Sequence, residues 1–313
     1  MIEVFHQVLR DHTAGDPMRE DVKWTNLSRR QIAKKMTALG ASVSKNIVSR
    51  LLWNEGYRRR KSQKKRTMGQ HADRNAQFEN IAKLKKQYRD AGHPVISIDT
   101  KKKEMLGNFH RHGVTDALEP TIVNDHDFVS ASKGTVIPHG IYDLAKNQAS
   151  VHLNTSSDTS ELACDSIKLW FHEQGQSDYP EATEMLIFCD GGGSNSASHY
   201  IFKEDLQALS NQLRLNIRIC HYPPYCSKYN PIEHRVFPHV TRACKGVPLE
   251  TIEVAKHYIE KSETVKGLSV IVRMLDKVYE TGRKYTKGFK ENMTIKFDQH
   301  LPKWNYTALP YYA

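Results

Sequence analysis

"VISID", residues 95–99, and "LIFCD", residues 186–190, are two apolar runs that each stop on an aspartate. Short runs rich in β-branched residues and bounded by turn signals read as buried strands. Working outward from the first, "TKKKEMLGNFHRHG" is expected to continue as hairpin strands around Gly107-Asn108. "GIYDLAKNQASVHLNTS", 140–156, reads as two further strands with a turn near Asn147. "DTSELACDSIKLWFHEQG", 158–175, predicts a helix with Asp158 as N-cap. Beyond the second run come a glycine loop, a helix over "SHYIFKEDLQALSNQL" and a strand over "LNIRICHYPP". "LETIEVAKHYIEK" reads as a helix, whereas "LSVIVRMLDKVYETG" fits strand or helix. Three strands followed by alternating helices and strands predict an α/β fold built on a mixed sheet.

In open α/β sheets functional groups gather where strands end. If the two runs are neighbours, Asp99 and Asp190 lie side by side. A third carboxylate stands in "HYPPYCSKYNPIEHRVF", residues 221–237. There Asn230 is a good N-cap, Pro231 suits the first helical position, and Glu233 falls where a capping-box glutamate reaches back. Glu233 is therefore either a cap or a third carboxylate delivered to the same rim. Three converging carboxylates would repel and need cations. Hard oxygen ligands suit Mg²⁺ or Mn²⁺, and a pair of such ions serves phosphodiester displacement.

The 313 residues carry a net charge of +11, unevenly placed. Residues 1–90 hold 21 Lys/Arg against 9 Asp/Glu, and the remainder 25 against 26. This concentration points to a polyanionic partner for the N-terminal part, nucleic acid ahead of membrane. No run of eighteen apolar residues and no signal-peptide pattern occur, and five cysteines without framework spacing suit a reducing, cytoplasmic setting.

Residues 1–56 read as helical. "LSRRQIAKKMTALG" places Ile32, Met36 and Leu39 on one stripe, with Ser28 as cap and Gly40 as terminator. "VSKNIVSRLLWNEG" has Ser44 as cap, Ile47, Val48, Leu51 and Leu52 as apolar face, and Gly56 as stop. Two short helices around a glycine-containing turn predict a helix-turn-helix, the second helix presenting Lys45, Asn46, Ser49, Arg50 and Trp53 toward DNA. "YRRRKSQKKR", 57–66, is a basic linker in which Arg58, Arg59, Arg60, Lys61, Lys64, Lys65 and Arg66 can track phosphates. A helix from about Ala72 to Asp90 leads into the second domain.

"VISIDTKKKEMLGNF", "LIFCDGGGSN", "HYPPYCSKYNPIEHRVF" and the terminal "WNYT" together resemble the Rhodopirellula-type DDE transposases of bacterial insertion sequences, relatives of the Tc/mariner and retroviral-integrase groups. The resemblance runs from about Gly15 to the end of the chain. It implies a ribonuclease H-like catalytic core with Asp99, Asp190 and Glu233 as catalytic, metal-binding triad, Asp99 contacting both of two Mg²⁺ or Mn²⁺ ions. It also implies cleavage at the ends of a mobile element and 3′-hydroxyl strand transfer into target DNA by a homo-oligomer working on the nucleoid. The expected domains are 1–56 (helix-turn-helix), 57–91 (basic linker and connecting helix), 92–246 (catalytic core) and 247–313 (extension of the core). Family members usually carry a further N-terminal helical segment, so Met1 is expected to be either a late start or the edge of a truncated copy. The alternative function is a transposase remnant acting only as a DNA-binding protein.

The remaining motifs weigh less. "DGGGSN" lacks the spacing of a nucleotide-triphosphate loop and instead permits close approach to the strand tip. Cys220, His221, Cys226, His234, His239 and Cys244 lack the close spacing of a structural zinc site. Lys101, Lys102 and Lys103 fit either phosphate contact or plain solvation. His221 and His234 flank the expected site, with packing favoured over an assisting role.

Overall fold

The computed structural model describes residues 1–16, 19–60, 69 and 71–311, and divides into two compact units, Met1–Arg66 and Thr67–Ala313. Lys61, Lys64, Lys65 and Arg66 of the basic run lie outside the described residues.

In the first unit, α1 (Ile2–His12), α2 (Arg29–Ala38) and α3 (Lys45–Asn54) close around Phe5, Val8, Leu9, Ile32, Met36, Val48 and Leu51. The helix ends follow their local chemistry. Ser28 Oγ accepts from the Gln31 N–H while the Gln31 side chain accepts from the Ser28 N–H, a complete capping box. Gly40 adopts φ +84° and Gly56 φ +79°, letting the N–H groups of Ala41 and Tyr57 reach back to the carbonyls of Met36 and Leu52.

Two expectations are corrected here. Residues 13–16 and 19–25, read as part of a helical segment, form two antiparallel strands, β1 (Thr13–Asp16) and β2 (Arg19–Thr25). Gly15 and Pro17 disfavour helix, and the alternating "REDVKWT" suits a strand. Leu39, expected on the buried stripe, is the C-cap of α2 and is exposed.

The second unit is built on one large mixed sheet. Its strands are β3 (Val95–Thr100), β4 (Glu104–Leu106), β5 (Gly134–Asp143), β6 (Gln148–Asn154), β7 (Glu184–Cys189), β8 (Asn216–His221), β9 (Ser269–Met274), β10 (Ile295–Phe297) and β11 (Asn305–Ala308). Their order is β10-β11-β8-β7-β3-β5-β6-β9, with β4 paired only to β5. β3 is antiparallel to β5, β5 to β6, and β3, β7 and β8 are mutually parallel. Counted from β3, the central five strands run fifth, fourth, first, second, third, which is the ribonuclease H-like arrangement.

Both faces of this sheet are covered, which is why β3 and β7 read as continuous apolar runs. On one face α5 (Ser160–Trp170) and α7 (Tyr200–Leu213) pack Ile167, Trp170, Phe202 and Leu206 against Ile96, Ile98, Met185 and Ile187. α5 continues through a π turn, Phe171–Gly175, into α6 (Gln176–Asp178). On the other face α4 (Arg74–Asp90) sets Ile81, Leu84 and Tyr88 against Val95, Leu186 and Phe188, so this helix belongs to the core of the second unit. Beside it, α8 (Pro231–Arg235), α9 (Phe237–Ala243) and α10 (Ile252–Glu260) cover β5, β6 and β9. A short α11 (Phe289–Asn292) precedes β10.

Three further expectations change. Gly107-Asn108 is no hairpin turn, because β4 pairs with Gly134–Val136 after a long irregular stretch. "LSVIVRM" resolves to a strand, parallel to β6 at the sheet edge. Asp158 does not cap α5; Thr159 does, its Oγ1 accepting from the Leu162 N–H.

Candidate active site

Because β3 and β7 are parallel neighbours, their C-terminal tips point the same way. Val95 pairs with Leu186 and Ser97 with Phe188, and the same register continued by two residues sets Asp99 opposite Asp190. Strand alternation puts both on the face carrying α4 and α8. On the other side of Asp99 its partner is Gly140 of β5. A Cβ there would lie 2.6 Å from Ile232 Cδ1 and 2.8 Å from Phe237 Cε1, so the missing side chain lets α8 and α9 close onto the sheet beside Asp99.

The start of α8 settles the local role of Asn230. Its side chain makes no cap bond. Instead it turns to β3, accepting from Ser97 Oγ at 2.5 Å and donating from Nδ2 to the Ile98 carbonyl at 2.9 Å. Ser97 Oγ in turn accepts from the Ile232 N–H at 3.1 Å, so the strand supplies the cap that the helix's own residue does not. Both Ser97 and Asn230 are fully buried. No capping box forms, and the Glu233 carboxylate comes near enough to Asp99 for its charge to bear on it.

The electrostatics record the crowding. Burial, followed by the charges of Asp190 and Glu233, pushes the Asp99 carboxyl up to about 8. Asp190 is also raised, chiefly by burial, with Glu233 and Asp158 adding repulsion against a counteracting bond from the Gly192 N–H. These three carboxylates are thus half-buried and feel one another. Among the described residues, however, no group of three or more His, Cys, Asp and Glu side chains stands ready to hold a metal ion. What the three acids share is mutual repulsion.

Sequence reasoning missed Asp158, which it treated as a cap. Its Oδ1 accepts from Thr100 Oγ1 at 3.0 Å and from Ser194 Oγ at 3.1 Å, linking the tip of β3 to the glycine loop after Asp190. Two adjacent cap-type residues, Asp158 and Thr159, were the available signal, since one helix needs only one of them.

The other candidates are dispersed. Lys101 is ion-paired with Glu104, which Arg111 also contacts at 3.0 Å, whereas Lys102 and Lys103 are exposed. His221 is fully buried and burial lowers it to about 4, while His234 is exposed. Cys220 and Cys226 lie under α4, and Cys244 packs in the separate cluster under α9 and α10. In the first unit Lys45, Asn46, Arg50, Arg58, Arg59 and Arg60 are exposed and Ser49 is half-buried. Arg58 stacks 3.3 Å above the Trp53 ring, and Arg29 and Arg30 line the same cleft as Lys45 and Ser49, a contribution the sequence did not signal.

Comparison with known proteins agrees in kind. The family model described as the Rhodopirellula transposase DDE domain matches residues 5–310. A comparison with curated proteins gave no match. Among solved structures the chain is similar to the mariner Mos1 paired end complex with Mg, at 13% identity and TM-score 0.48, covering 83% of this chain and 70% of that one. It is likewise similar to the Mos1 transposase paired-end complex with left transposon end, at 13% identity and TM-score 0.46 over the same shares. No helix among the described residues is long and apolar enough to cross a membrane. With all but a few terminal residues matched by the family model, the chain belongs to the Rhodopirellula-type DDE transposase family.

Proposed function

We propose that the chain is a DNA transposase that cuts at the ends of a mobile element and joins the freed 3′-hydroxyl to target DNA. The observation that carries this reading is the convergence of Asp99, Asp190 and Glu233. Asp99 is held at about 8 by burial and by its two acidic neighbours. Such repulsion costs stability and suits a site whose working state includes cations. The donor set, three carboxylates at two strand tips and a helix start, is all hard oxygen and fits Mg²⁺ or Mn²⁺. When bound, two such ions supply Lewis-acid activation of the attacking oxygen and charge stabilisation of the leaving one.

The chain's own residues supply placement. Asp99 feels the charges of both other carboxylates, which supports it as the group that would serve both ions. Asp190 and Glu233 flank it, one on a glycine-bounded tip and one on a helix pinned to β3. Gly191, Gly192 and Gly193 leave room for a DNA backbone to approach the rim. Lys102 and Lys103, exposed just beyond Asp99, are placed to meet phosphates. The first unit would grip element ends through Lys45, Asn46, Ser49, Arg50 and the arginines 58–60, in a homo-oligomer assembled on the nucleoid.

The test is a nicking and strand-transfer assay on terminal-repeat DNA with Mg²⁺. Asp99→Asn, Asp190→Asn and Glu233→Gln should each cut activity by about 10³-fold or more, while DNA affinity stays within about twofold. Full activity in all three variants would refute the assignment. DNA binding without cleavage by the parent chain would leave the remnant reading in its place.

A further inference from the structure

We propose that Tyr306, acting through His221, is a positioning residue that sets the direction of the Asp190 carboxylate. His221 ends β8 beside Cys189 of β7. Its Nδ1 lies 2.8 Å from the backbone carbonyl of Asp190 and 3.3 Å from Cys189 Sγ. A carbonyl can only accept, so Nδ1 carries the hydrogen. Nε2 of the neutral ring is then an acceptor, and it sits 3.0 Å from the Tyr306 hydroxyl, which donates to it. Both side chains are fully buried. The imidazole is packed at its sides by Phe202 and by the Tyr306 ring itself, at centroid distances of 6.2 and 5.6 Å.

The same tyrosine steadies the other end of the loop. Lys203, buried, places its ammonium 4.7 Å above the Tyr306 ring and donates at 2.6 Å to the carbonyl of Ala197. Asp190 and Ala197 bracket a stretch that opens with three glycines. Within it the Gly192 N–H reaches Asp190 Oδ1 and the Ala197 N–H reaches the Gly191 carbonyl, both at a long 3.4 Å, and Ser194 ties it outward to Asp158. The direction in which the Asp190 side chain leaves the strand depends on the peptide that follows it. The Nδ1–H bond fixes that peptide, and the Tyr306 hydroxyl fixes the ring that makes the bond. Ligand-orienting bonds of this kind tune metal affinity from outside the coordination sphere. Tyr306 thereby gives a role to one residue of "WNYT".

This inference rests on Asp190 being a metal ligand, and the experiment separates the two. Mn²⁺ binding to the full, DNA-free chain is measured by titration calorimetry for wild type, Asp190→Asn, Tyr306→Phe, His221→Leu and His221→Asn, with unfolding midpoints alongside. Tyr306→Phe and His221→Leu are expected to weaken Mn²⁺ binding by about tenfold. His221→Asn, whose amide N–H occupies the place of Nδ1–H, is expected to lose less than His221→Leu. Lowered midpoints with unchanged Mn²⁺ affinity in Tyr306→Phe and His221→Leu, while Asp190→Asn binds weakly, would overturn the positioning role and leave the site standing. Wild-type affinity in Asp190→Asn would overturn both.

Discussion

Ser97 and Asn230, on β3 and at the mouth of α8, share a buried 2.5 Å hydrogen bond across 133 positions of sequence. Asn230 also donates to the Ile98 carbonyl, and Ser97 also accepts from the first turn of α8. The bond therefore fixes a helix start two residues from Asp99 and three from Glu233. Truncating Asn230→Ala removes the acceptor of the buried Ser97 hydroxyl hydrogen and the side-chain donor to the Ile98 carbonyl, at a cost of about 1–3 kcal/mol. We expect a urea-midpoint drop of that size together with at least a tenfold loss of nicking. A destabilised but fully active Asn230→Ala protein would show that Glu233 is placed by other means.

Asp158 ties Thr100 to Ser194 through one carboxylate oxygen. Asp158→Asn keeps an acceptor at that position and should retain nicking within about threefold, whereas Asp158→Ala should lose about tenfold. Equal rates for Ala and Asn, measured at saturating Mg²⁺, would remove the loop-anchoring role.

His139 and His152 face each other across β5 and β6, fully buried, and none of their ring nitrogens finds a partner among the described residues. Burial holds His139 at about 4 and, with the charges of His139 and Arg273 adding to it, His152 at about 3. Both lie below the ordinary histidine value of about 6.5, so the unfolded chain binds more protons between these limits. Their stability contribution is complete above about 6.5 and is lost as pH falls toward about 4. The urea midpoint should therefore decline from pH 7 to pH 5, and more shallowly in the double variant His139→Leu/His152→Leu. An unchanged decline in that variant would assign the acid sensitivity elsewhere.

Lys45 and Arg50 are exposed on α3. If each neutralises a DNA phosphate, Lys45→Ala or Arg50→Ala reduces the slope of log affinity against log salt by about 1. Fluorescence anisotropy over a salt series on terminal-repeat and unrelated duplexes reads this directly. An unaltered slope in both variants would take the phosphate contacts away from α3 and leave Arg29 and Arg30 of α2 to make them.

Strands buried on both faces announce themselves, which is why Asp99 and Asp190 could be placed at strand ends from "VISID" and "LIFCD" alone. Helix limits set by Ser28, Ser44, Gly40 and Gly56 were legible for the same reason, since the signal is local. Partner choice over long separations was not. Ser97 is one small polar residue inside an apolar run, and its bond to Asn230 leaves no periodic trace. Asn230 followed by proline has every local mark of a cap, yet tertiary contact claims its side chain. Asp158 lost the cap to its neighbour Thr159, a choice between two adequate residues that only the position of Thr100 and Ser194 decides. Gly140 carries a steric role visible only once Ile232 and Phe237 lie over it.

β11 lies inside the sheet, between β8 and β10, although it is translated after every one of the three acids. A ribosome that has delivered the chain as far as α9 has released Asp99, Asp190 and Glu233, but not the strand that flanks His221. A half-made polypeptide thus carries all three acids before the strand that flanks His221 exists, and the tip of β7 gains its last supporting layer only when the chain is nearly finished.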